Sequence, residues 1–284
     1  MAPWTEPRIE WHRGLDSLRH YQYLVDGAEL LTRWEPAPFE RTATDCFKLG
    51  DDFWIWQPGV GGIRFKAGGD PSFSAYPSDT VDPGWFEHLI ERSWMPAVYQ
   101  VWGRQVLHAS AVAHKHTGRV VGFTGPSGAG KSTIAFGLGQ RAGWTQLADD
   151  TLAFSVDGGR VVLHPLKNDA RLRPATAAYH GRSDAPLQPI AWPDRTVALS
   201  RLFVIAGDDD LSADVVVEPL TAGESYTLLL QQAHSFTLQV PVFNQQLMRD
   251  YLTLAASVPI VRLTYRRSFD SLGAILDEVV RHAR

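Results

Sequence analysis

The sequence predicts an α/β protein: a sheet with helices built around a glycine-rich P-loop, preceded by a β-rich N-terminal region. Three observations carry this expectation. Residues 125–132 read Gly-Pro-Ser-Gly-Ala-Gly-Lys-Ser, a complete G-x-x-x-x-G-K-[ST] pattern. The run before it, Arg119-Val120-Val121-Gly122-Phe123-Thr124, is β-branched and aromatic, and residues 131–142 carry Ile134, Ala135, Phe136 and Leu138 in a pattern that suits a helix. Past residue 119, strand-like and helix-like segments alternate.

Taken from the N-terminus, residues 1–100 read as the β-rich region and 101–284 as the loop-bearing domain. Tyr21-Gln22-Tyr23-Leu24-Val25 and residues 29–34 flank Asp26-Gly27, a hairpin signal. Residues 52–56 form another strand, and Gly61 to Lys66 pair with it across Pro58-Gly59. Residues 85–95, opened by Asp82-Pro83-Gly84, read as a helix. Eight of the ten tryptophans lie at or before Trp102, which favours a small aromatic core over a surface for a peptide or protein partner. Trp4 and Trp11 are the candidates for exposure.

Residues 105–113 and 119–124 predict a hairpin around His114-Lys115-His116-Thr117-Gly118. His114 and His116 have metal-like spacing but lack a third ligand, so a solvated turn is favoured. In the loop, glycines supply left-handed backbone that a Cβ would forbid, and converging N–H groups suit a di- or triphosphate. The nucleotide-binding set is Gly125, Pro126, Ser127, Gly128, Ala129, Gly130, Lys131, Ser132 and Thr133. Lys131 is expected to reach the β/γ-phosphates of ATP, and the Ser132 hydroxyl to bind Mg²⁺.

Gly143 ends the helix, Trp144 to Ala148 form a short strand, and Asp149-Asp150 follow at once. If that strand runs parallel to the loop strand, both end on the edge where ligands sit in open α/β sheets. Adjacent strand residues point to opposite faces, so only one aspartate faces the nucleotide unless the chain turns there.

Further on, residues 151–156 and 160–164 form a hairpin around Asp157-Gly158-Gly159. The segment Pro165 to Arg173 carries Lys167, Arg171 and Arg173, either a clamp for phosphate or acidic substrate or an ordinary solvated loop. Residues 181–198 form an irregular excursion. Residues 201–206 return as a strand, 221–234 and 242–256 are helical, 258–265 are a strand, and Ser268 is expected to cap a helix running to His282.

Composition narrows the function classes. The net charge is −4 with no basic block, so a nucleic-acid surface is not supported. The single cysteine, Cys46, excludes an intramolecular disulfide and reads as a packed hydrophobe rather than a nucleophile. No basic-then-apolar signal segment or membrane-length apolar run is present, so a cytoplasmic protein is expected.

The strand, the loop ending in Gly-Lys-Ser, one helix and a short strand into Asp149-Asp150 together resemble the catalytic domain of HPr kinase/phosphorylase. Leu107-His108-Ala109-Ser110-Ala111-Val112 strengthens the resemblance. The chain is more similar still to the HPr-kinase-like serine kinases of unassigned substrate, including those found beside peptide-maturation genes. Val258-Pro259-Ile260-Val261-Arg262-Leu263-Thr264-Tyr265 fits their last strand. The specific part covers roughly residues 105–165. The first hundred residues do not match the N-terminal domain of true HPr kinases.

That resemblance implies an HPr kinase/PEP carboxykinase-like sheet, with Asp149 as the base that takes the acceptor hydroxyl's proton and Asp150 as a metal ligand beside Ser132. It also brings His108 near the phosphates, to donate a hydrogen bond or shuttle a proton; a buried structural histidine is the alternative. Departures matter. Ala109 stands where that family usually has glycine, Thr133 stands where it commonly has an acid, and its second signature is not found. Phosphorylase activity and HPr as substrate are therefore not expected, and neither is the family's hexamer; homo-oligomerisation stays open. A phosphoenolpyruvate carboxykinase is rejected, since its lysine and histidine metal ligands and substrate arginines are not found.

Three functions remain: a kinase for a serine of a protein or peptide, a kinase for a small metabolite, and a nucleotide-binding module without turnover. The aromatic-rich N-terminal region and the resemblance favour the first.

Overall fold

The computed structural model describes residues 7–13, 16–35, 42–68, 72–164, 166, 169–170, 173–181, 188–189, 197–233 and 240–283. They form a mixed α/β protein with a β-rich N-terminal sheet and a curled mixed sheet. The chain divides into two units. One holds Thr5–Arg104 with Ser235–Leu247, the other Gln105–His234 with Met248–Arg284.

The N-terminal unit contains β1 (Arg8–Trp11), α1 (Ser17–Gly27), β2 (Glu29–Trp34), β3 (Thr44–Leu49), β4 (Asp52–Gln57), β5 (Gly61–Lys66) and β6 (Ser72–Pro77). The six strands lie in the order β1-β6-β5-β4-β3-β2. The pairing of β4 with β5 is the one expected, running from Asp52↔Lys66 to Gln57↔Gly61. The indole of Trp56 occupies the space where a Cβ on Gly62 would stand, so that strand position requires glycine.

The hairpin expected around Asp26-Gly27 is corrected, because residues 17–27 are helical. Asp16 starts the helix: its carboxylate accepts the N–H groups of Leu18 and Arg19 at 3.1 and 3.0 Å. Tyr21 and Leu24, three apart on one helix face, pack with Phe47, Trp54 and Trp56. The local Tyr-Gln-Tyr alternation looked strand-like, but the cap and the 3.6-residue period decide the outcome.

A helix also forms after Asp82, whose side chain accepts from the Trp85 N–H. It is longer than expected: α2 (Pro83–Leu89) passes through a π-helical turn, Ile90–Trp94, into α3 (Met95–Val101). Trp54, Trp56 and Trp94 are buried, whereas Trp11 and Trp85 are 42% and 51% exposed. Trp4 lies outside the described residues. Cys46 is fully buried, and burial pushes its thiol well above the ordinary range, in keeping with a packed hydrophobe.

The second unit contains β7 (Gln105–Leu107), β8 (Ala109–His114), β9 (Val120–Thr124), α4 (Lys131–Gly139), β10 (Trp144–Ala148), β11 (Leu152–Asp157), β12 (Arg160–His164), β13 (Asp169–Ala170), α5 (Pro174–Tyr179), β14 (Gln188–Pro189), β15 (Val197–Gly207), β16 (Val215–Pro219) and α6 (Ala222–Gln231). Then come α7 (Pro241–Ser257), whose first residues belong to the N-terminal unit, β17 (Ile260–Tyr265) and α8 (Leu272–His282). The main sheet runs β10-β8-β9-β15-β12-β11-β7, with β17 on the far half of β15 and β16 beyond it. Strands β9, β15 and β17 are mutually parallel. The long β15 pairs with β12 through Val197 and Ala198 and with β9 and β17 further along, which lets the sheet curl. α4 and α8 share one core with β9, through Ile134, Leu138, Phe123, Ile275 and Val279.

Three expectations need adjustment. The strand over 105–113 breaks at His108: β8 pairs with β9 as expected, but β7 pairs with β11. α4 ends at Gly139, earlier than 142. Ser268 does not cap α8, whose N-cap is Ser271 without a side-chain bond; the Ser268 hydroxyl accepts the Asp270 N–H instead. Among the described residues, no helix is long and apolar enough to cross a membrane.

Candidate functional site

β9 ends at Thr124 and α4 begins at Lys131, so the glycine-rich segment is a loop between a strand and a helix. Gly125, Gly128 and Gly130 have φ of 148°, 82° and 98°. A Cβ on Gly125 would come within 2.5 Å of the Ile205 carbonyl oxygen, and one on Gly130 within 2.7 Å of the Tyr265 hydroxyl. Only glycine fits these positions. At Gly128 the first atoms met are those of the Arg173 guanidinium, at 3.6 and 3.9 Å. The N-cap of α4 is Gly130, which makes no side-chain cap bond, so the first-turn N–H groups have no capping side chain.

Lys131 is 5% exposed, and its Nζ donates to the Gly125 and Pro126 carbonyls at 2.9 and 3.1 Å. Burial pulls its ammonium below the ordinary range; the carboxylates of Asp150 and Asp149 oppose that, and the Arg173 charge adds to it. Both acids and Arg173 therefore lie within electrostatic reach of the loop lysine. Ser132 is partly exposed, and Thr133 shares a 2.9 Å hydroxyl contact with Thr176 of α5. Tyr265, at the end of β17, donates its hydroxyl to the Ala129 carbonyl. Burial pushes that phenol up to about 12.

The acids reach this edge by a route slightly different from the simplest one. β10 runs in the same direction as β9, with β8 between them, antiparallel to both. Ala148 and Gly122 both sit across from Ala111, so the two strands end nearly level. The chain then turns. The Thr151 N–H bonds the Asp149 carbonyl at 2.8 Å, and the residue between, Asp150, has φ of 67°. This is a γ-turn, and Asp150 is the one non-glycine with positive φ among the described residues. The turn removes the opposite-faces objection raised by strand geometry.

Asp149 is 4% exposed and accepts the Ser110 hydroxyl at 2.9 Å. Asp150 is open, with 67% of its side chain exposed, and its Oδ1 lies 3.0 Å from His108 Nε2. The His108 carbonyl accepts the Thr124 hydroxyl at 2.9 Å, which ties the histidine to the last residue before the loop. The structure thus brings together His108, the 125–133 loop, Asp149 and Asp150.

Of the suspected clamp, Arg173 is at the loop, while Lys167 and Arg171 lie outside the described residues. Ser110 and Tyr265 were missed. Ser110 had a signal in its place two residues after His108 in the 105–113 run; Tyr265 had none, because its approach depends on β17 lying beyond β15. His114 and His116 stack edge to face at 5.8 Å in their turn, and no group of three potential metal-ligating His, Cys, Asp or Glu residues occurs among the described residues.

No family model matches the chain, and no curated protein matches it. Among solved structures it is similar to the HPr(Ser) kinase/phosphatase from Coxiella burnetii, at 11% identity and a TM-score of 0.34, over 63% of this chain and 95% of that one. That is a distant likeness.

Proposed function

We propose that this chain is a Mg²⁺- and ATP-dependent kinase of the HPr-kinase-like kind, and that it transfers the γ-phosphate to a serine hydroxyl of a protein or peptide. The observation that supports it most is the meeting at one sheet edge of an uncapped glycine loop, its buried lysine and the Asp149-Asp150 γ-turn. The loop has the features of a phosphate-binding loop: left-handed glycines, free first-turn N–H groups and a lysine held beside the cradle.

The residues present fit the cation and nucleotide that this reading requires. Ser132 and Asp150 offer a hydroxyl and an exposed carboxylate, the hard oxygen donors Mg²⁺ takes alongside substrate phosphates. When bound, the ion would neutralise charge on the β/γ oxygens. Lys131 and Arg173 supply fixed positive charge on the loop's side, and the N–H groups of Gly128 and of residues 130–133 orient the phosphates, while the Ala129 N–H donates to the Pro126 carbonyl at 3.1 Å. The acceptor oxygen forms a bond to the γ-phosphorus as the bond to the β–γ bridging oxygen breaks. Asp149 receives the acceptor proton, and the Ser110 hydroxyl holds that carboxylate in place. His108 holds the Asp150 carboxylate.

A polypeptide acceptor is favoured by the sequence resemblance and by Trp11 and Trp85, which leave aromatic surface open on the N-terminal unit. The test is transfer from γ-labelled ATP with Mg²⁺ into a lysate of the source cells, with the Asp149→Asn protein as control. Label in a polypeptide that vanishes with the variant is the expected result. Label in a small molecule replaces the acceptor class, and ATP binding without transfer replaces the kinase by a regulatory module.

A further inference from the structure

In the unit that carries the loop, Tyr179 is the one exposed large aromatic side chain among the described residues, 49% open to solvent. Its ring lies flat against Phe269, with centroids 4.6 Å apart and planes 13° apart. A single exposed tyrosine is ordinary. What sets this pair apart is how both rings are tethered to the glycine loop.

Tyr179 ends α5, and α5 is fastened along α4. Arg173, just before α5, has its guanidinium at Gly128. One turn on, Thr176 meets Thr133, and His180 packs edge-on to Phe136 at 4.9 Å. α5 therefore leads away from the loop along the flank of α4. From Arg173 to Tyr179 it advances about 9 Å, a length of the order that separates a nucleotide's phosphates from its base. Phe269 arrives from the other side. It follows Tyr265, whose hydroxyl bonds Ala129, by four residues, and it packs on the core that contains Ala129 and Leu272.

We propose that the Tyr179–Phe269 pair is the stacking platform for the heteroaromatic base of the nucleotide whose phosphates occupy the Gly125–Ser132 loop. The proposal rests on the phosphate-loop reading. The backing by Phe269 and the perpendicular His180 ring, 5.0 Å away, keep the Tyr179 ring in one plane, and about half of the side chain stays open to solvent for stacking. Stacking recognises a π-face rather than a hydrogen-bonding edge, so ATP and GTP bind alike and CTP, with its smaller ring, binds more weakly.

The experiment is calorimetric titration of the full chain with Mg-ATP and, separately, with Mg-tripolyphosphate, which keeps the phosphates and lacks the base. The wild type should bind ATP more tightly. Tyr179→Ala should lose about tenfold in ATP affinity with tripolyphosphate unchanged. Tyr179→Phe should keep ATP affinity, and Phe269→Ala should weaken ATP alone. Equal losses for both ligands in Tyr179→Ala would show a structural role and overturn the platform. Equal wild-type affinity for the two ligands overturns the platform and leaves the phosphate loop standing. A wild type that binds neither overturns both.

Discussion

Nε2 of His108 stands 3.0 Å from Oδ1 of Asp150, and the aspartate it meets is held at a φ of 67°. A side chain with a Cβ is strained there, and the strain buys placement: it swings an exposed carboxylate toward the loop lysine directly after the buried Asp149 that follows β10. Asp150→Gly should therefore be more stable than Asp150→Ala by about 1 kcal/mol, because glycine takes left-handed backbone freely. At an ordinary exposed position the order is reversed. Thermal unfolding of the two variants decides it, and an alanine variant as stable as the glycine one would refute the strained turn. Both should raise the Mg²⁺ concentration needed for half-maximal transfer.

The glycines of the loop are not equivalent. At Gly125 a new Cβ meets the Ile205 backbone oxygen at 2.5 Å, whereas at Gly128 it meets only the tip of a flexible arginine. Gly125→Ala should cost about 2 kcal/mol or more through strain and displaced backbone, and should abolish nucleotide binding. Gly128→Ala should cost only the backbone penalty of about 1 kcal/mol, yet it narrows the cradle where Arg173 approaches. Chemical denaturation and nucleotide titration of the pair test this. Equal destabilisation would mean that the contact with β15 does not constrain the loop.

Much of the site was legible because its chemistry is local. The 125–132 pattern and the Asp149-Asp150 pair announce themselves within one strand, loop, helix and strand. What sequence could not supply was the sheet order. β8 inserts between β9 and β10, and that insertion carries Ser110 to Asp149 and His108 to Asp150. Tyr265 reaches Ala129 only because β17 lies beside β15, more than a hundred residues after the loop. In the N-terminal region the β-rich character was readable from its aromatics, but Asp26-Gly27 misled: the Asp16 cap and the packing of Leu24 outweighed a hairpin signal of two residues.

His20 predicts an acid-side weakness of the N-terminal unit. Its ring lies 4.9 Å from Trp54 and 4.7 Å from Trp56, and its Nε2 is buried without a hydrogen-bond partner among the described residues. Burial holds its pKa below the ordinary 6.5. The unfolded chain then takes up a proton near 6.5 while the folded chain resists it. Below that value the unfolded state binds more protons, so unfolding free energy falls as pH drops; above it the full stability is present. Denaturant unfolding followed by tryptophan fluorescence on either side of pH 6.5 should show this loss, and His20→Phe should reduce it. A loss of the same size in the variant would remove His20 as its source.

Asp149 and Asp150 should fail in different ways when neutralised. Asp149 is buried against Ser110, and Asp150 is open beside His108. If Asp149 is the base, Asp149→Asn keeps Mg-ATP affinity and lowers transfer about a hundredfold or more. Asp150→Asn should instead raise the Mg²⁺ concentration needed for half-maximal transfer, because a metal-side carboxylate is lost while the asparagine still tolerates the left-handed backbone. Ser110→Ala should lower transfer more mildly, by leaving the Asp149 carboxylate without its hydroxyl donor. The exposure of the two side chains allows the opposite outcome, in which Asp150→Asn loses transfer at saturating Mg²⁺ and Asp149→Asn shifts the Mg²⁺ requirement. That result would exchange the roles and make the His108–Asp150 pair the proton acceptor. A Mg²⁺ titration of transfer in both variants separates the two assignments, since loss of a base persists at saturating metal and loss of a metal ligand is relieved by it.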